Sequence, residues 1–237
     1  IDFYKQVFHI DRNQEKIFNQ SIELRSNGMP MAYILGKKDF WSLTLHIDKN
    51  VLIPRPESEH LVERALKNLP KKSFNCKILE LGTGSGAIAI ALAKERPNAS
   101  VIATDISKRA LSLAQHNALE NNVHNIDFIV SDWFQELKKM KFNSIVVNPP
   151  YIDQNNKSTY DVSTLKYEPE IALFAKNKGR ESIFSIIKVL NNKIELINYN
   201  HFMDIRNICD DNQLKLFNDL SKDLNRIFSK KPPRPRK

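Results

Sequence analysis

Residues 77–95 read KILELGTGSGAIAIALAKE. The first five, Lys77 to Leu81, are a largely apolar run of strand length, and the last nine, Ala87 to Glu95, hold four alanines, the residue that most favours helix. Between them lie Gly82, Thr83, Gly84, Ser85 and Gly86, three glycines in five residues. Glycine accepts left-handed backbone and leaves no Cβ, so a strand running through such a loop into a helix brings bare backbone against a ligand. Strand, loop and helix form the first part of a βαβ unit, which predicts an α/β fold with its ligand above the carboxyl ends of the strands.

The pattern continues outward. SVIAT (100–104), IDFIV (126–130) and NSIVV (143–147) predict strands, KRALSLAQHNALENN (108–122) a helix, and a short helix is expected near Gln135 to Met140. Short apolar strands alternating with helices imply a mostly parallel sheet with right-handed crossovers and helices on both faces. Upstream, residues 1 to about 27 read as helix with Phe3, Val7, Phe8, Ile17 and Ile22 on one face, broken by Gly28-Met29-Pro30. FWSLTLHI (40–47) alternates as a strand, IPRP (53–56) is a stiff loop, and Glu57 to Leu69 resumes a helical period. Downstream, KIELINY (193–199) reads as a possible fifth strand and residues 210–229 as an amphipathic helix. The implied division is a partial helical unit at 1–35, a hairpin and IPRP connector at 36–56, the main domain at 57–200 and a helical segment with a basic tail at 201–237.

The formal charge of +9 suggests a nucleic-acid partner until it is located. KKPPRPRK at the end holds five basic residues and no acid, which leaves +4 for the rest, and residues 1–70 carry ten basic and nine acidic side chains. The tail either solvates a chain end or touches RNA or the ribosome. No apolar run is long enough to span a bilayer, and the first residues lack the pattern of a secretory leader, so a cytoplasmic protein without a membrane partner, and a monomer, is expected. Cys76 and Cys209 lie far apart, and the six histidines show no ligand spacing, so no metal is expected. Cys76 reads as a small core residue.

Asp105 ends the second strand nineteen residues after Gly86, where a carboxylate can accept from ribose hydroxyls. The alternative is a cap on the helix that starts near Ser107. Asp132, with Trp133 beside it, is placed to accept from an adenine amino group, or to cap the turn that follows. GTGSGA also satisfies a loose dinucleotide fingerprint, so the loop by itself does not separate NAD from S-adenosylmethionine.

The fourth strand ends in Asn148-Pro149-Pro150-Tyr151. Two prolines fix φ and remove two backbone donors, leaving a corner rich in acceptors. The side-chain oxygen of Asn148 and the carbonyl of Pro149 can each accept one N–H of an NH₂ group, while Tyr151 offers a flat face to a planar amide or base. A nitrogen held in this way faces a sulfonium methyl for in-line displacement, and orientation supplies the rate gain.

Residues 77–151 resemble class I methyltransferases of the (D/N)PPY group, which act on exocyclic base amines and glutamine amides. GMPMAYILGKKDFWSL (28–43), VLIPRPESEHLVERAL (51–66) and the E-P-x-x-A-L run at Glu168, Pro169, Ala172 and Leu173 resemble the HemK/PrmC family of peptide chain release factor glutamine methyltransferases. The resemblance implies a Rossmann-like class I sheet with a small helical N-terminal domain and a β-hairpin connector. It implies that Glu80, Gly82, Thr83, Gly84, Gly86, Asp105, Asp132 and Trp133, with Asn148, bind S-adenosylmethionine and release S-adenosylhomocysteine. Asn148, Pro149, Pro150 and Tyr151 would hold the substrate glutamine, with Asn148, Pro149 and Tyr151 catalytic. Arg55 and Glu57 would brace that pocket, unless Arg55 merely pairs with Glu57 or Glu59 at the surface. Phe40 and Trp41 are either pocket wall or hairpin core.

Two departures from the family stand out. Residues 1–27 are short for its helical bundle, and the residues after about 190 lack its closing antiparallel pair. Three functions compete: methylation of the glutamine in the Gly-Gly-Gln loop of class I release factors, methylation of an exocyclic base amine in RNA or DNA, and a scaffold that keeps the fold without turnover. A base methyltransferase would ordinarily add a basic, aromatic recognition surface, whereas the excess charge here sits in the tail. Intact glycines, Asp105 and NPPY count against the scaffold.

Overall fold

The computed structural model describes residues 11–69, 75–137, 140–155 and 165–193. Helix α1 (Arg12–Ser26) opens on a capping box in which Asp11 Oδ1 accepts from the Asn13 and Gln14 amides, and the Gln14 side chain accepts from the Asp11 amide. Ile17 and Ile22 do lie on this helix, but none of its residues is buried. Helix α2 (Met31–Leu35) ends at Gly36, whose φ of 66° closes it in the left-handed region.

Strands β1 (Lys37–Phe40) and β2 (Leu43–His46) pair antiparallel, Phe40 opposite Leu43. FWSLTLHI is therefore not one strand: it is the end of β1, a turn at Trp41-Ser42, and β2. Phe40 and Leu43 are both buried although three apart, a change of phase that the apolar Trp41 in the turn hides by continuing the alternation of Leu43, Leu45 and Ile47 in the sequence. Trp41 takes a φ of 56°, and its amide donates to Glu59 Oε1 at 2.7 Å while its indole N–H donates to Glu95 Oε1 at 3.2 Å. A short 3-10 turn at Pro56–Ser58 leads into α3 (Glu59–Asn68).

The main sheet is β3 (Lys77–Leu81), β4 (Ser100–Asp105), β5 (Ile126–Val130) and β6 (Ser144–Val147), all parallel in the order β5-β4-β3-β6. Helix α4 (Ala87–Glu95) follows β3 and α5 (Lys108–Glu120) follows β4. The chain steps from β3 outward to β5 and then returns to place β6 on the far side of β3. The strand order thus reverses between β3 and β6, and their carboxyl ends open a crevice there. These elements meet the expected ones to within two residues. Between β5 and β6, Trp133–Glu136 form turns tied by bonds such as Gln135 N to Asp132 O, and 138–139 lie outside the described residues.

Both faces of the sheet are covered. On one, Ile78 and Val101 join a core with the hairpin, α3 and α4, in which every residue from Ala87 to Ala93 is buried. On the other, Leu79 and Leu81 pack with Ile186 and Leu190 of α7 (Glu181–Lys193). Cys76 is buried in the first core, as expected, and burial pushes its thiol pKa up. After β6 the chain forms β7 (Ile152–Asp153), which pairs parallel with β8 (Phe174–Ala175) just after the short helix α6 (Glu170–Leu173). KIELINY after Lys193, the helix expected over 210–229, Cys209 and the basic tail lie outside the described residues. Among the described residues no helix is long and apolar enough to cross a membrane, and no group of three or more His, Cys, Asp or Glu is placed to hold a metal ion.

Candidate functional site

All three loop glycines are left-handed, with φ of 71° at Gly82, 56° at Gly84 and 85° at Gly86. They serve different ends. A Cβ on Gly86 would sit 2.9 Å from Ile90 Cδ1 and 3.0 Å from Ala114 Cβ, so this glycine lets α4 and α5 close on the loop. A Cβ on Gly84 would meet nothing within 4 Å, and one on Gly82 only the Trp133 ring at 3.8 Å, so these two present an open backbone face. Glu80, 2% exposed, braces the turn from beneath: its Oε2 accepts from the Thr83 hydroxyl at 2.5 Å and the Ala89 amide at 2.9 Å. Burial pushes the Glu80 pKa up to about 8, against the lowering effect of those two bonds and with some help from the Asp105 charge.

Asp105 clamps the loop from the side. One carboxylate oxygen accepts from the Gly84 amide and the other from the Ser107 amide, each at 2.9 Å. The cap of α5 is Ser107 itself, whose hydroxyl accepts from the Ala110 amide, so the capping alternative for Asp105 falls away. Each Asp105 oxygen keeps a further lone pair for a ligand. Asp132 is exposed beside the half-buried Trp133, and its carboxylate takes the Gln135 side-chain amide rather than a backbone cap. Beneath the loop, Asn117 is fully buried and fully bonded: its amide nitrogen donates to the carbonyls of Ser85 and His46, and its oxygen accepts from the His46 amide. It stitches the hairpin to the glycine loop.

Across the crevice stands Asn148, half-buried at the end of β6, whose Nδ2 donates to the Ser58 hydroxyl at 3.4 Å. Glu168, buried at 5% exposure, accepts from the Ile53 amide at 3.0 Å and pairs with the Arg55 guanidinium. Arg55 therefore does not pair with Glu57 or Glu59 at the surface. It ties the IPRP segment to the E-P-x-x-A-L run. Gly179, with φ of 76°, packs on the outgoing side of the corner, where an added Cβ would stand 2.0 Å from the Tyr151 carbonyl oxygen. No side chain fits there.

One cavity of about 360 Å³ joins the two sides. The glycine loop, Asp105 and Trp133 line one end, and Asn148, Pro150, Ser58 and Arg55 the other, with Glu80 and Asp132 also in the wall. Phe40 is both core and wall, being 2% exposed yet lining the cavity. Pro149 and Tyr151 are not among the lining residues, and Tyr151 is 61% exposed. Glu57 lies elsewhere, in a separate depression with Trp41, Pro56, Glu59, His60 and Glu63. Sequence reasoning assigned no role to Ser58, Asn117 or Gly179. Only Ser58 and Glu168 carried a signal, through the segments that resemble the family.

A family model described as the methyltransferase small domain matches residues 61–172. The release factor glutamine methyltransferase of Coxiella burnetii is 44% identical over 178 residues, which cover 75% of this chain and 63% of that protein. Its Escherichia coli counterpart is 45% identical over 170 residues, covering 72% of this chain and 60% of the relative. A bifunctional methyltransferase of Rickettsia typhi is 44% identical over 188 residues, 72% of this chain and 36% of that protein. The chain thus spans somewhat less than two thirds of the release-factor enzymes it matches. Among solved structures, the hMettl16 catalytic domain in complex with a MAT2A 3′UTR hairpin superposes with a TM-score of 0.53 at 16% identity, over 68% of this chain and 61% of that one. That likeness establishes the Rossmann-like α/β methyltransferase fold.

Proposed function

We propose that this chain, 44% identical over three quarters of its length to a release factor glutamine methyltransferase, methylates the side-chain amide nitrogen of the glutamine in the Gly-Gly-Gln loop of class I peptide chain release factors. The cofactor in this reading is S-adenosylmethionine, which supplies an electrophilic methyl group on a sulfonium. Gly82 and Gly84 offer the open backbone face along which its amino-acid and ribose portions would run, Asp105 the acceptor for ribose hydroxyls, and Trp133 with Asp132 the surroundings of the adenine.

The observation that carries the reading is the single cavity with this glycine loop at one end and the Asn148 corner at the other. Asn148 Oδ1 accepts one N–H of the substrate amide, which turns the nitrogen toward the methyl group; the second acceptor assigned to Pro149 does not line the cavity. When bound, S-adenosylmethionine would supply its methyl group to the held nitrogen, the S–C electron pair staying with sulfur to leave S-adenosylhomocysteine and the amide proton passing to water as the nitrogen becomes acidic, so no strong base would be required beforehand. Rate is gained by positioning and by oxygen dipoles aimed at the developing positive charge. Tyr151, exposed at the rim, stacks on the incoming residue rather than lining the pocket floor. Release factors as partners place the reaction in the cytoplasm, with the enzyme acting as a monomer. For the basic sequence KKPPRPRK, contact with RNA or the ribosome is part of this reading.

Incubation of the purified protein with S-adenosylmethionine and a class I release factor, followed by peptide mass spectrometry, should show a gain of one CH₂ on the glutamine peptide. Methylation of a base in an RNA or DNA substrate, with the release factor unmodified, would transfer the same geometry to the alternative substrate class.

A further inference from the structure

We infer that Arg55 receives the α-carboxylate at the methionyl end of S-adenosylmethionine, so that the IPRP connector grips the cofactor together with the glycine loop. Among the described residues two basic side chains line the cavity, Arg55 and Lys176, against the acids Glu80, Asp105, Asp132 and Glu181. Lys176 is exposed, whereas Arg55 is fixed from behind: its guanidinium pairs with Glu168, 5% exposed, which also accepts from the Ile53 amide. Glu168 is the one hydrogen-bond partner of Arg55 among the described residues. A guanidinium carries five N–H donors and no acceptor, so most of its donors remain, on a side chain that is 40% exposed and lines the cavity. Such a group can only donate, and the ligand group it matches best is a planar carboxylate.

The two ends of the cavity decide where that carboxylate goes. At the loop end it would stand beside Asp105, whose own carboxylate already holds the Gly84 and Ser107 amides, and like charges at close range oppose each other. Three of the loop amides are also taken: Thr83 donates to the Thr104 carbonyl, Gly84 to Asp105 and Gly86 to the Thr83 carbonyl. At the other end stands the guanidinium. The cofactor has the order of parts that this division requires, because the adenine and the carboxylate are its two extremes, with ribose and sulfonium between them. With Asp132 and Trp133 around the adenine and Asp105 at the ribose, the methionyl chain runs on past the sulfonium toward the wall that holds Asn148 and Arg55. Arg55 and Glu168 together are close to neutral, so their hold on the ligand comes from aimed N–H groups rather than from net charge.

The inference rests on S-adenosylmethionine as the cofactor and not on the identity of the methyl acceptor, so binding alone tests it. S-Adenosylmethionine and its decarboxylated form, which lacks only that group, are titrated calorimetrically into the full chain. The parent should bind the decarboxylated form about thirtyfold more weakly, the scale of hydrogen bonds between charged groups. In Arg55→Ala, S-adenosylmethionine should weaken by that factor while the decarboxylated form binds as it does to the parent, so that the ratio of the two affinities falls to about one. Lys176→Ala should keep the parental ratio. A ratio that persists in Arg55→Ala overturns the inference and moves the carboxylate to the amides at the start of α4. Equal weakening of both ligands also overturns it, because Arg55 would then act only by holding the connector on Glu168, and so does a ratio lost in Lys176→Ala. Should Arg55→Ala fail to fold with buried Glu168 unpaired, Arg55→Met combined with Glu168→Gln removes both charges and keeps an acceptor for the Ile53 amide, and the same ratio is read there. If the parent binds both ligands equally, the cofactor stands and the inference falls; if it binds neither, the cofactor reading itself falls.

Discussion

On the glycine-loop side of the cavity the fixing bonds are local, with Thr83 reaching Glu80 three residues away and Gly84 reaching Asp105 twenty-one away. On the Asn148 side they span 90 residues to Ser58 and, for the clamp beneath Ser58, 115 residues from Ile53 to Glu168. The first wall is held within β3, α4, β4 and α5, where its bonds close loops of up to 32 residues, from Ser85 to Asn117, and Asn117 then ties it to the hairpin. The second exists only after the connector has docked against segments that follow β6, a closure that costs more chain entropy. One wall is a property of a supersecondary unit and the other of the whole described fold. Substitutions should therefore separate them, Arg55 excepted, with cofactor affinity following the first wall and turnover the second.

The largest separation is expected at Asn148. Asn148→Ala removes the acceptor proposed for the substrate amide and leaves the glycine loop untouched, so turnover should fall by about 10² or more while calorimetric affinity for S-adenosylmethionine stays near that of the parent. Equal losses in both would mean that the two walls are one unit. Gly179→Ala tests the same wall through its backbone. With an added Cβ 2.0 Å from the Tyr151 carbonyl oxygen and a φ of 76°, the corner has to shift, and a loss of about 3 kcal/mol of stability or an equivalent fall in turnover is expected from overpacking and left-handed strain together. Melting curves with and without S-adenosylmethionine separate these outcomes, because a displaced corner should leave ligand stabilisation intact.

On the other wall, Asp105→Ala removes two charge-assisted bonds, to the Gly84 and Ser107 amides, as well as the ligand acceptor. Cofactor affinity should weaken by about 2 kcal/mol, roughly thirtyfold, as measured by calorimetry. With saturating S-adenosylmethionine, kcat should recover most of its parental value. A kcat that stays low at saturation would show that the loop also positions the substrate side.

The same contrast governs how much could be read in advance. Residues 77–130 announced their strands, loop and helices because hydrophobic period and glycine spacing are local signals, and the sheet found there agrees to within two residues. Asn148 was legible because the two prolines after a strand are a local signal as well. Ser58, Gly179 and the partner of Arg55 were not. Nothing near Ser58 says that its hydroxyl forgoes the helix cap for a residue 90 positions away, and Gly179 shows its reason only when Tyr151 is brought against it. The Trp41-Ser42 turn escaped for another reason: the apolar Trp41 continues the alternation of Leu43, Leu45 and Ile47 and so hides the change of phase between buried Phe40 and Leu43. Glu57 and Arg55, two residues apart, were assigned to one pocket, yet the turn at Pro56–Ser58 sends Glu57 to a different surface.

Glu80 gives the smallest effect per step of its variable, pH, and the test most specific to the local wall. Its carboxyl is buried against the Thr83 hydroxyl and the Ala89 amide, and its pKa rises from the ordinary 4.5 to about 8, chiefly through burial. Between those two values the folded protein keeps a proton that the unfolded chain has already released. Unfolding then releases that proton, so stability falls as pH rises through the window; below it both states are protonated, and above it both are ionised and the full destabilisation is present. Glu80→Gln retains an acceptor oxygen for Thr83 and Ala89 but does not titrate. Urea melts at about pH 5, 6, 7 and 8 should show the parent losing stability relative to Glu80→Gln by up to about 1.4 kcal/mol per pH unit. A difference that stays flat across the series would mean that Glu80 ionises normally, and that the loop is held by a carboxylate in contact with water rather than by a buried acid. A difference of the opposite slope would mean that the bonds from Thr83 and Ala89 outweigh burial, which would make this wall an electrostatically stabilised one and remove the contrast in burial between Glu80 beneath the loop and half-buried Asn148 across the cavity.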